Sequence, residues 1–84
     1  MTRITLLTNV DCHLCEHAKT VLARVAADHP LQVEEIRLDS AHGQALATRI
    51  GMPFAPGILI DGEPFGYGRL SERKLRKTLA RRQP

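Results

Sequence analysis

Eighty-four residues, 43% of them apolar and with only Phe54, Phe65 and Tyr67 aromatic, allow one domain over residues 1–84 with a small aliphatic core. Two cysteines are too few for a disulfide-built secreted scaffold, and no apolar run approaches the ~18 residues of a membrane span. The net charge of +3 hides a segregation: Arg69, Arg73, Lys74, Arg76, Lys77, Arg81 and Arg82 face one acid, Glu72, so the final segment carries +6 and the rest −3.

That basic segment suits electrostatic steering of an acidic partner or an anionic thiol, or else a solvated helix face. Nucleic acid is disfavoured as a partner because no aromatic side chain interleaves the run. Met1-Thr2-Arg3 leads straight into Ile4, so no signal peptide is expected. The expectation is a cytoplasmic monomer with no membrane partner. In a reducing compartment, a C-x-x-C pair is catalytic or metal-binding and not structural.

In chain order, Ile4 to Thr8 is apolar on both faces, as a central strand covered by helices would be. Asn9-Val10-Asp11 turns, and a helix runs from about Cys12 to Asp28, ending before His29-Pro30 because a residue preceding proline avoids the helical region. Leu31 to Leu38 is a second strand, with Val33, Ile36 and Leu38 apolar but Glu34-Glu35 adjacent, which suggests an edge. Asp39 or Ser40 caps a short helix through about Ile50, with Ala41, Ala45, Leu46 and Ile50 as its inward side and Gly51 as its stop. Gly43 weakens its first turn.

Gly57 to Ile60 and Glu63 to Tyr67 flank Asp61-Gly62, a hairpin signal because both turn positions need positive φ. Pro64 makes the second arm an edge strand. Ser71 caps a last helix with Leu75 and Leu79 facing inward. Phe54 and Phe65 read as core filling, and the four histidines as surface residues. The order β-α-β-α-β-β-α, with a right-handed crossover between the first two strands, predicts a four-stranded mixed sheet with helices on both faces.

The chemistry sits in Cys12-His13-Leu14-Cys15. Three residues apart on a helix, the two sulfurs can meet in a disulfide, but so small a ring stabilises a fold weakly, so its use is chemical. Leu14, Ala18, Val21, Leu22 and Val25 form an apolar stripe that includes Cys15, which therefore points to the core. Cys12 falls at the helix start, where free N–H groups and the macrodipole favour a thiolate. His13 and His17 would add to that when protonated, whereas Asp11 and Glu16 oppose it. Cys12 is assigned as nucleophile and Cys15 as resolving thiol. No metal site is assigned: zinc needs about four ligands, and His13, His17 and the cysteines crowd one turn. A cluster bridged between two subunits through Cys12 is the easier metal alternative.

With these elements in place, the chain resembles the glutaredoxins, the minimal thioredoxin-like fold, over nearly its whole length. Cys12-His13-Leu14-Cys15-Glu16-His17-Ala18-Lys19 is similar to the family's C-P-Y-C-x-x-A-K, and Ala55-Pro56-Gly57-Ile58-Leu59-Ile60-Asp61-Gly62 to its V-P-x-I-F-I-x-G. The resemblance implies a thiol–disulfide oxidoreductase with no bound cofactor, restored by an external dithiol or a low-molecular-weight thiol such as glutathione. Its partners would be a disulfide-containing protein or small thiol, and a reductase of the glutathione- or thioredoxin-reductase type. It further implies that Pro56, more than the competing Pro53, is cis beside Cys12, with Ala55 offering its backbone to substrate. His13, Tyr67 and Gly68 complete the expected substrate contacts. The sequence departs from the family at His13 and Leu14, at Asn9 in place of a basic residue, and at Tyr67-Gly68 with Ser71 in place of Gly-Gly and an acid. These are the groups that hold glutathione in the family, and the chain is also similar to glutaredoxin-shaped redoxins reduced by thioredoxin reductase. The competing class is a thioredoxin-fold binding module that docks an acidic protein through its basic C-terminal helix.

Overall fold

The computed structural model describes residues 1–82. Its elements are β1 (Thr2–Thr8), α1 (His13–Ala26), β2 (Leu31–Arg37), α2 (Ala41–Ile50), β3 (Gly57–Ile60), β4 (Glu63–Tyr67) and α3 (Glu72–Arg82). The sheet runs β2-β1-β3-β4, with β1 parallel to β2 and antiparallel to β3, and β4 antiparallel to β3. Element order and edges follow the sequence, with ends differing by one or two residues, as fraying ends do. The two final residues of the expected domain lie outside the described residues.

Strand periodicity divides the core into two layers. Ile4 and Leu6 of β1 and Ile58 and Ile60 of β3 pack with Ala18, Val21, Leu22 and Val25 of α1 and with Leu75 and Leu79 of α3. The alternate positions, Leu7 and Leu59, point the other way, onto Ile36, Leu46 and Met52 beneath α2. β1 and β3 are therefore apolar on both faces because helices cover both. β2 lies at one edge with Val33 exposed, as the adjacent glutamates foretold. At the other edge, Asp61 and Gly62 turn with φ of 49° and 84°, and the register slips between Ile58 and Leu59, so that Phe65 is an extra residue beside Pro64.

Two expectations about packing are corrected. In α2, Ala41 and Ala45 are exposed, whereas Gly43 and Leu46 are buried and Ala47 and Ile50 half-buried. That 43-46-47-50 stripe is itself helical in period, and Gly43 sets it: a side chain there would run into the backbone carbonyl of Arg37. The glycine lets the first turn of α2 lie against the end of β2, and Ser40 supplies the cap, accepting from the Gly43 N–H at 2.9 Å. The second correction is Phe54, which is 53% exposed and not core filling. Phe65 is half-buried against the first layer.

The basic segment is divided as well. Glu72 accepts from Arg24 of α1 at 2.6 Å and from Arg76 at 2.9 Å, while Arg76 reaches Asp28 at 2.7 Å. Arg24 first, then Arg76, holds the Glu72 carboxyl below the usual carboxylate range. Arg82 meets Asp61 at 2.6 Å, tying α3 to the hairpin. These exposed pairs contribute little each, but they orient α3 beside α1.

Gly43→Ala tests the close approach. Propensity alone favours alanine in a helix by about 1 kcal/mol. The overlap with the Arg37 carbonyl should reverse the sign, giving a net loss of about 1–3 kcal/mol in urea unfolding. A stabilised variant would contradict this packing.

Candidate active site

The C-terminal ends of β1, β2 and β4 and the N-terminal end of β3 all point the same way, since Thr8 pairs with Arg37, Leu7 with Gly57, and Gly57 with Tyr67. Four connections therefore gather at one end of the sheet: 9–12, 38–40, 51–56 and 68–71. Every candidate residue lies in or beside them.

Cys12 is the N-cap of α1, with extended backbone, and its Sγ accepts the N–H of Cys15 at 3.1 Å. Both sulfurs are at disulfide distance, with the Cα atoms 5.2 Å apart. The two are unequal in access. Cys12 is half-exposed in a depression lined by Asp11, His13 and Glu16, whereas Cys15 is 1% exposed among the apolar residues of α1. The asymmetry follows from the stripe: position 15 shares a face with Ala18 and Leu22, and position 12 stands before the first turn.

The charges around the depression are themselves held in place. Lys19 bridges Glu16 at 3.1 Å and Glu35 of β2 at 3.2 Å, and Glu35 accepts from the buried Thr8 hydroxyl at 2.8 Å. Thr8 first, then Lys19, lowers the Glu35 pKa, and Glu16 first, then Glu35, raises that of Lys19. Lys19 thus partly offsets one of the two carboxylates that line the depression and braces α1 to the sheet. In the sequence Lys19 stands out only as the last residue of the family-like C-x-x-C-x-x-A-K match, and Thr8 and Glu35 do not stand out at all. Nothing in spacing alone pairs positions 8, 19 and 35; only the parallel register of β1 and β2 does.

The other predicted contacts lie at the same end. The Ala55–Pro56 peptide bond is cis, Pro56 is buried, and its carbonyl accepts the N–H of Gly68 at 2.8 Å. Ala55 is half-buried, Gly68 buried, and Tyr67 52% exposed. Phe54 and Tyr67 meet edge to face with ring centroids 5.1 Å apart, two exposed aromatics fixing one another. Phe54 was missed as a member of this end; its place between Pro53 and Ala55-Pro56, in a loop too short to fold back under the sheet, was the available signal. His13 lines the depression at Cys12; Ala55, Pro56, Tyr67 and Gly68 do not. His17 faces Val21, Arg24 and Leu70 instead, and it and His29 are half-buried, each with a buried Nδ1 lacking a partner among the described residues; His13 and His42 are exposed. Among the described residues, no three of His, Cys, Asp and Glu converge as metal ligands. No described helix is long and apolar enough to cross a membrane.

Comparison with known proteins agrees with this architecture. Residues 3–80 match the glutaredoxin-like domain family DUF836. No curated protein matches the chain in sequence. Among solved structures, the chain is similar to a mutant thioredoxin from Halobacterium salinarum NRC-1, at 23% identity and a TM-score of 0.74 over 95% of this chain and 73% of that one. It is similar to a thioredoxin-like protein from Clostridium perfringens, at 17% identity and a TM-score of 0.77 over 96% and 70%. It is also similar to mitochondrial thioredoxin 3 from Saccharomyces cerevisiae in its oxidized form, at 14% identity and a TM-score of 0.72 over 95% and 77%. These likenesses show a thioredoxin-like fold, and the match over residues 3–80 shows that the chain belongs to the glutaredoxin-like domain family.

Proposed function

We propose that the protein is a dithiol–disulfide oxidoreductase that reduces disulfides of proteins or small molecules through Cys12 and Cys15. The observation that carries this reading is the inequality of the pair: a half-exposed sulfur at a helix N-cap, accepting a backbone N–H, and a buried one within bonding reach. A thiolate at Cys12 is favoured there by the same N–H and by the helix dipole.

The Cys12 thiolate attacks one sulfur of the substrate disulfide; that S–S bond breaks, and the departing thiolate takes a proton from solvent. A mixed disulfide remains on Cys12. Cys15, losing its proton, attacks the Cys12 sulfur and releases the second half of the substrate as a thiol. Two electrons have passed to the substrate, and the protein holds the Cys12–Cys15 bridge. An external dithiol or a low-molecular-weight thiol, glutathione among the candidates, returns it to the dithiol by the reverse exchange, as suits a protein of the reducing cytoplasm. The substrate would lie across the cis Ala55–Pro56 segment, with the Ala55 backbone, His13, Gly68 and the Phe54–Tyr67 pair around it.

Replacing Cys12 by Ser should reduce disulfide exchange to the uncatalysed background, whereas Cys15→Ser should accumulate a mixed disulfide visible by non-reducing mass spectrometry. Full exchange without Cys12 would overturn the mechanism. Tyr67→Ala removes the aromatic pairing, valued at about 1 kcal/mol, and should raise KM for a protein disulfide about fivefold with kcat little changed. An unchanged KM would remove Tyr67 from the substrate contacts.

A further inference from the structure

Of the groove between β4 and α3, the redox reading uses only Tyr67. The groove measures about 320 Å³. Its apolar floor is Ile58, Phe65 and Leu70, and Tyr67 stands at one end. The walls carry Arg69, Lys74, Lys77 and Arg81, and no acid. Lys74, Lys77 and Arg81 recur at three and four, one stripe of α3. Among the described residues, none of these four cations makes an ion pair, whereas Arg76 and Arg82 do. Helix α3 thus has two unlike long faces, one neutralised against α1 and the hairpin, and one left cationic along the outer strand of the sheet.

We infer that this groove is a docking site for an acidic segment of a protein partner, with carboxylates on the α3 stripe and an apolar side chain on the floor. The charge complementarity is one-sided: four cations and no lining acid attract a polyanion and repel a basic peptide. An apolar floor is of no use to a small, fully hydrated anion but suits a peptide with mixed side chains. Scale fits too. From Lys74 to Arg81 the helix advances about 10 Å, and successive cations are about one turn, 5.4 Å, apart. An extended chain rising about 3.3 Å per residue places alternate carboxylates about 6.6 Å apart, so three or four residues span the stripe. Phe65, left without a register partner on β3 beside Pro64, is among the residues that line the groove.

The site stands apart from the cysteines, so its test needs no turnover. Binding of a short fluorescein-labelled peptide, rich in glutamate with one leucine, is followed by anisotropy against increasing sodium chloride. The full chain should bind it and weaken as salt rises. The double variant Lys74→Glu, Lys77→Glu should bind about tenfold more weakly, while Arg3→Glu, Arg49→Glu, with the same change of net charge on other elements, stays within about twofold. Cys12→Ser, Cys15→Ser should bind as well as the parent, which separates this site from the redox reading. No binding at low salt would overturn the proposal, as would equal weakening by both charge pairs. A single-stranded oligothymidylate that binds more tightly than the peptide, and is itself weakened by the Lys74/Lys77 pair, would overturn it in favour of nucleic acid.

Discussion

Burial of β1 on both faces is the constraint from which the site follows. Ile4 and Leu6 are locked under α1 and α3, and Leu7 under α2, so the strand has no freedom to slip: a shift of one residue would exchange the two layers. Because β1 is fixed, so is the point where it ends. Thr8 holds Glu35 across the parallel register, three residues turn, and the chain enters α1 with Cys12 as its cap. The antiparallel pairing of β1 with β3 brings Gly57, and with it the Ala55–Pro56 bond, to that end of the sheet.

The difference in exposure between the cysteines is then a matter of helical phase. A core stripe that includes position 15 leaves position 12 as the cap before the first turn, half-exposed beside the unpaired amides. The site needs no unusual residue for this. What it does carry is a charge arrangement in which Asp11 and Glu16 flank Cys12 while Lys19, tied to both Glu16 and Glu35, offsets one of them.

Much of this was legible in the sequence for a physical reason. Patterns of period two and 3.6 report burial directly, so the strands, the α1 stripe, the Asp61-Gly62 turn and the inward position of Cys15 could be read. The α2 face could not, because its decisive residue, Gly43, acts by lacking a side chain, and hydropathy does not register a close backbone approach. Phe54 misled for the opposite reason: a phenylalanine in a chain with few aromatics invites assignment to the core, but its partner is another exposed ring, Tyr67. The Thr8–Glu35–Lys19 connection and the cationic groove depend on register and helix placement, which composition does not encode. The charge of the last segment was plain; its division into a paired face and an open one was not.

The proposed exchange requires that α1 make Cys12, and not Cys15, the reactive thiol. The direct measurement is alkylation of the reduced protein by iodoacetamide across pH, with peptide mapping, before and after chelator treatment. Cys12 should alkylate with a midpoint well below the ~8.5 of a free thiol, while Cys15 resists until the protein unfolds. Equal reactivity of the two cysteines, or resistance of both until a chelator is added, would contradict the assignment.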